Sequence, residues 1–172
     1  MAIALATTLK GYFDTGDRPT AANFVDLVDT IRKPIIALDA TTYAPTAAES
    51  GATLVFDGTA CTVTLPTCAV GLVYHFFVAA TGAVSSIITT ASADKLYGLL
   101  FLSRAVGTIN VSSISNATTA IDPLAGDNTL TMNGGTTGGV IGSWLEVICV
   151  AENAWAVNGH VMGSGTLATM AS

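Results

Sequence analysis

The chain has 172 residues, of which 51% are hydrophobic and only 10% charged, with six basic against twelve acidic side chains and a formal net charge of −6. Its mass is 17.4 kDa, its mean hydropathy +0.60 and its pI about 4.5. That length suits one domain with a small appendage, the apolar content argues against disorder, and the acidic balance leaves no electrostatic footprint for nucleic acid or for anionic lipid. Soluble proteins usually carry charge on about a quarter of their residues, so the surface must be built mainly from Thr, Ser, Gly, Asn and Ala. The longest apolar stretches, such as residues 72–80, are too short to span a bilayer and are broken by Gly, Thr or His75, so no transmembrane helix and no membrane partner are expected. Residues 1–10 lack a basic n-region and are interrupted by Thr7 and Thr8, so they do not read as a signal peptide, and the protein is expected to stay in the compartment where it is made.

Charge is unevenly distributed. Lys10, Arg18, Arg32 and Lys33, with Asp14, Asp17, Asp26, Asp29 and Asp39, all lie before residue 46. This divides the chain into an N-terminal arm (1–45) and a body (46–172), with residues 39–50 as the expected linker around Pro45. Within the arm, Phe24, Leu27, Val28 and Ile31 recur at the spacing of one helical face, predicting a helix over about 20–33. Thr20 is the expected N-cap, accepting from the Asn23 amide, and Pro34 forbids continuation. Arg32 and Lys33 then sit at the negative end of the dipole, with Asp26 and Asp29 on the solvent side. So short a helix is marginal alone, so its stripe needs the body, a sister subunit or a foreign partner to cover. Residues 1–10 read as an extended apolar tail.

The body has β chemistry throughout, with β-branched residues in short runs between turn formers. Strands are predicted over 52–56, 61–65, 73–78, 86–90, 108–112, 129–132, 143–150 and 154–157. Asp57-Gly58-Thr59 reads as a hairpin turn between the first two, and Ala151-Glu152-Asn153 as the turn between the last two. No helix-length periodic stretch follows Pro34. Gly134-Gly135-Thr136-Thr137-Gly138-Gly139 reads as a flexible loop, and 112–128 as a long irregular connection. The expected fold class is therefore mainly β: an antiparallel β-sandwich or jelly-roll body with a short N-terminal helix and extended arm.

Chemistry-bearing motifs are sparse. Cys61, Cys68 and Cys149 do not match zinc-ligand spacing, and His75 and His160 supply no second half-site, so no metal is expected; three cysteines without an export signal read as reduced, buried thiols, a disulfide being the minor alternative. His75, in a strand among aromatics, reads as a satisfied or interface histidine rather than a general base, and His160 as an exposed one. Glu146 and Glu152 read as solvated charges beside a hairpin rather than a glycosidase pair. No nucleophile elbow surrounds a serine, the glycine loop is followed by neither Lys nor a helix, and the sequon at Asn116 has no consequence without secretion. No catalytic residue and no cofactor is expected. Trp144 and Trp155 read as core or interface packers, with a sugar-binding platform as the alternative.

The segment Gly11-Tyr12-Phe13-Asp14-Thr15-Gly16-Asp17-Arg18-Pro19-Thr20, continuing through Phe24, Leu27 and Ile31, resembles an opening found in structural proteins of tailed-bacteriophage virions. The stretches Thr62-Val63-Thr64-Leu65-Pro66, Gly71-Leu72-Val73-Tyr74-His75-Phe76, Trp144-Leu145-Glu146-Val147 and Trp155-Ala156-Val157-Asn158-Gly159 are similar to the β body of the same proteins. That family includes capsid decoration (cement) proteins, head fibres and tail-associated fibre modules, commonly homotrimers. The resemblance implies a non-enzymatic protein on the outer surface of the capsid, with the major capsid protein and its own copies as partners. Ile3, Leu5, Leu9, Phe13, Phe24, Leu27, Val28 and Ile31 are the expected capsid or subunit contacts. Absence of shaft repeats and heptads favours cement over a long fibre. A head-fibre or tail-fibre module binding a receptor or carbohydrate through Trp144 or Trp155 stays open, and a polysaccharide-cleaving enzyme is the third reading.

Overall fold

The computed structural model of the chain describes Gly11, Gly16 and residues 18–31, 33–80, 85–91, 93–104, 118–121 and 128–164. Helix α1 (Ala21–Ile31) begins where the Thr20 cap places it. The Asn23 amide donates to the Thr20 hydroxyl at 3.3 Å, and the Asn23 side-chain oxygen accepts from the Thr20 amide at 2.7 Å. This reciprocal pair satisfies donors that a helix start leaves orphaned. The helix ends ahead of Pro34, and much of its stripe stays exposed: Phe24 and Val28 are more than half exposed and Leu27 is part-buried. Asp26, expected to face solvent, is also part-buried. The expected contacts Ile3, Leu5, Leu9 and Phe13, and the side chains of Asp29, Ile31 and Arg32, lie outside what is described.

Beyond Pro34 the chain alternates between two sheets. Strands β1 (Ile35–Leu38), β3 (Thr53–Phe56) and β5 (Val73–Val78) pair in parallel in one. Strands β2 (Thr42–Tyr43), β4 (Thr62–Thr64) and β6 (Ser86–Thr89) pair in parallel in the other. Each circuit of the chain thus crosses both sheets and lands one strand further along, a short coil of the solenoid kind. Strands β7 (Lys95–Arg104), β8 (Thr118–Ile121), β10 (Trp144–Ala151) and β11 (Ala154–Gly163) extend the first sheet to the order β1-β3-β5-β10-β11-β7-β8. Strand β9 (Thr129–Met132) pairs antiparallel with β6 and completes the order β2-β4-β6-β9.

The chain is mainly β, but the antiparallel expectation fails at its first test. Asp57 and Gly58 do make the turn: the Thr59 amide donates to the Asp57 carboxylate at 2.9 Å and Gly58 takes φ +99°. The turn carries the chain from one sheet to the other, so β3 and β4 are not a hairpin. A tight turn dictates a change of direction; which strand becomes the neighbour depends on where apolar faces meet, and β3 is flanked by β1 and β5. The second predicted turn does close a hairpin, β10 with β11, with Asn153 at φ +57°. Strands β1 and β2 sit on the arm side of the expected 45/46 division, yet both pair into the sheets, and the expected linker holds β2 and a 3-10 turn, Ala47–Glu49. The expected strand at 108–112 lies outside the described residues, while part of the expected irregular connection is β8, paired with β7. The glycine loop is a defined turn: the Asn133 side-chain oxygen accepts from the amides of Gly135 (2.9 Å) and Thr137 (3.1 Å), and Ser164 closes it by donating its amide to the Gly135 carbonyl.

Strand side chains alternate in burial, and those of both sheets form one core. Tyr74 and Trp155 are its largest fully buried side chains, with ring centroids 6.0 Å apart, and Val63, Ile88, Leu130 and Met132 join it from the four-stranded sheet. Against Trp155 stands the buried Asp94. Its carboxylate accepts from the Cys68 amide at 2.8 Å and from the Trp155 indole at 3.4 Å. Beside it Cys68 is joined to Cys149 as a disulfide with Cα atoms 5.6 Å apart, which corrects the expectation of three reduced thiols. Neither partner has a spacing cue, because the two are brought together from 81 residues apart. Cys61 remains a buried thiol, its pKa pushed up by burial and then by the charges of Asp57 and Asp39.

A second polar knot fixes the 3-10 turn to the sheets. The Glu49 carboxylate accepts from the Thr46 amide at 2.7 Å, the Thr46 hydroxyl at 3.0 Å and the Tyr43 hydroxyl at 2.7 Å, while the Tyr74 hydroxyl donates to the Thr46 carbonyl at 2.8 Å. Burial and the nearby Glu49 push the Tyr74 phenol up to about 12. Burial works to raise the Glu49 carboxyl, but the bonds from Thr46 and Tyr43 outweigh it and hold the group below its ordinary 4.5. A depressed folded-state pKa means stability that is complete above the ordinary value and is lost as the pH falls through the folded one. Urea unfolding between pH 6 and pH 3 is therefore expected to show a loss of stability setting in below pH 4.5 that is smaller in Glu49→Gln. Asp94→Ala leaves the Cys68 amide and Trp155 indole without their acceptor, which is expected to cost about 2–4 kcal/mol in the same measurement; unchanged stability would show that the junction is dispensable.

Candidate functional site

Pleating turns every second residue of the seven-stranded sheet away from the core, and pairing aligns those residues in rows across the strands. One row runs Val55, Phe77, Trp144, His160, Phe101 through β3, β5, β10, β11 and β7. Phe77, Trp144 and Phe101 are 40%, 46% and 50% exposed. The His160 ring between the last two is held by the Ser103 hydroxyl, 2.7 Å from its Nε2. The next row, two residues along each strand, runs Thr53, His75, Glu146, Asn158. His75 Nδ1 lies 3.2 Å from Glu146 Oε2 across the antiparallel β5–β10 pair. Cross-strand neighbours of this kind have Cβ atoms about 5 Å apart, so rings and polar groups share one continuous patch.

Two residues that the sequence treats separately, His75 and Glu146, are thus brought together as one imidazole–carboxylate pair. Trp144 is on the outer face, whereas Trp155 is fully buried against Tyr74 and Asp94, so the sugar-platform alternative is removed for Trp155. His160, expected to be simply exposed, is part-buried in the aromatic row. Phe77 and Phe101 are the functional candidates that sequence reasoning missed. A signal existed for Phe77: in Val73-Tyr74-His75-Phe76-Phe77-Val78, alternation puts Phe77 on the same side as His75 and opposite Tyr74 and Phe76. Phe101 carries no such signal, since it lies in the apolar run 96–102, in which inward and outward positions look alike.

On helix α1, Val25 and Val28 are 57% and 58% exposed and Phe24 is 51% exposed, a second apolar surface that precedes the sheet. Among the described residues no group of three His, Cys, Asp or Glu is placed to hold a metal, and no helix is long and apolar enough to cross a membrane. Chemically, the sheet face offers aromatic faces, one carboxylate, two imidazoles and an amide on an open surface, a set suited to recognition by stacking and hydrogen bonding.

Comparison with known proteins found no matching family model, no matching curated protein and no matching solved structure. The chain is thus a mainly β protein of two mixed sheets with one shared core and a row of part-exposed aromatic side chains on the outer face of the larger sheet.

The opposite placement of the two tryptophans has a direct consequence. Trp155→Ala opens a cavity beside Tyr74 and removes one of the donors to Asp94, and is expected to cost about 3–5 kcal/mol. Trp144→Ala is expected to change stability by less than about 1 kcal/mol. Denaturant midpoints of the two variants, measured side by side, check the assignment of inner and outer faces.

Proposed function

We propose that the protein is a non-enzymatic virion structural protein, a capsid decoration protein that binds the outside of a phage head as a homotrimer and clamps neighbouring major capsid protein subunits. The observation that carries this reading is the apolar surface of the arm helix. Val25 and Val28 on α1 are turned to solvent, not packed into the core of the sheets. A short helix gains most of its stability from burying such a face, and a larger particle supplies the burial. The resemblance of residues 11–31 to the opening of phage virion proteins supports the same partner. The surface chemistry agrees with it: with only 10% of residues charged, attachment rests on shape and buried area more than on ion pairs. In this reading the arm is the attachment element and the two sheets form the subunit contacts and the outer face of the particle.

The purified protein is expected to scatter light as a species near three times 17.4 kDa. Deleting residues 1–33 is expected to abolish co-sedimentation with phage heads while the trimer persists. A monomer in solution, or undiminished head binding by the deletion variant, overturns the proposal.

A further inference from the structure

The outer face of the seven-stranded sheet combines two features that seldom share one surface. Phe77, Trp144 and Phe101 stand in one row, each roughly half exposed, and the row of His75, Glu146 and Asn158 runs alongside it. From β5 to β7 the aromatic row crosses three strand spacings, roughly 14 Å. We propose that this face is a binding platform for a neutral polysaccharide, whose sugar rings stack on Trp144, Phe77 and Phe101 while their hydroxyls bond to Glu146, Asn158 and His75.

The argument for a sugar is complementarity. A pyranose ring presents an apolar C–H face and a rim of hydroxyls, so it needs an aromatic plane and hydrogen-bonding groups within one ring's reach. The two rows meet that need, being one pleat repeat apart. Glu146 is an acceptor with about four lone-pair sites, more than the single imidazole at 3.2 Å can fill. Asn158 is exposed and both donates and accepts. The Ser103 hydroxyl holds His160 Nε2 and thereby orients the ring that separates Trp144 from Phe101.

Charge and shape narrow the ligand further. A formal net charge of −6 and a carboxylate in the middle of the patch disfavour anionic polymers, whether acidic polysaccharide or nucleic acid. A second copy of the chain is a poorer fit, because the cores of protein interfaces are depleted of charge and here the imidazole–carboxylate pair lies in mid-sheet, on β5 and β10. The open, sheet-borne surface suits an extended chain lying across the strands. This inference concerns the sheet face and not the arm, so it stands or falls independently of attachment to a capsid.

The test is native electrophoresis of the full chain through gels containing dextran, laminarin or galactomannan, paired with an array of neutral oligosaccharides. Retardation is expected with at least one of these probes and is expected to persist in high salt. Trp144→Ala is expected to weaken it about tenfold or more and Glu146→Gln about threefold. Val25→Ser, on the helix, is expected to bind as the wild type does. Circular dichroism of each variant reports on folding, and Phe101→Ser serves as a second ring deletion should Trp144→Ala fold poorly. Absence of binding to every probe overturns the proposal, as does retardation that survives loss of the rings. Light scattering in which Trp144→Ala dissolves an oligomer, without any retardation of the wild type, overturns it as well, since a second copy would then occupy the face.

Discussion

Two sheets share one core, and the pleat leaves each strand side chain only two directions, into that core or away from it. That constraint settles most of what distinguishes one residue from another here. Tyr74, Phe76, Leu145, Val147, Trp155 and Val157 take the inward positions and are buried. Their immediate neighbours His75, Phe77, Trp144 and Glu146 are turned outward by the same geometry, and strand pairing then lines them up. Core and candidate binding face are therefore one pattern seen from its two sides. A one-residue slip in the register of β10 would exchange them, exposing Leu145 and Val147 and burying Glu146.

The inward side is held in place by two polar junctions at its margins. Asp94 ties the Cys68 amide and the Trp155 indole to the segment leading into β7, next to the bond between Cys68 and Cys149. Glu49 gathers Thr46 and Tyr43 around the 3-10 turn, and Tyr74 reaches from the core to the Thr46 carbonyl. Hydrogen bonds to a carboxylate are stronger than neutral ones, so both junctions restrain the loops where the chain passes between sheets. The seven-stranded sheet is in this way pinned at positions where its own ladder gives no support.

The outward side and the helix present two surfaces of different character. Among the described side chains of α1 the exposed ones are Ala21, Ala22, Phe24, Val25 and Val28, a surface suited to being covered by another protein. On the sheet, rings alternate with hydrogen-bonding groups in adjacent rows, a surface suited to a ligand that is itself half apolar. A decoration protein that attaches by its arm and displays its sheet outward would use both.

The amino-acid sequence by itself determined the β character of the chain, the cap and extent of α1, the strands β5 and β9 to the residue, and the hairpin turn before Ala154. These are local matters: side-chain branching, a capping hydroxyl, a residue tolerant of positive φ. It also carried the inside–outside pattern of β5, and hence Phe77, for a reader who follows parity. Only the tertiary structure decided that β3 and β4 part to different sheets, that β1 and β2 join those sheets, that Cys68 meets Cys149, and that Trp155 is core while Trp144 is surface. Parallel pairing between strands separated by a full circuit, and a disulfide closed across 81 residues, depend on which apolar faces find each other in three dimensions. No spacing within a single strand encodes that choice, because it is made between segments that the chain itself keeps far apart.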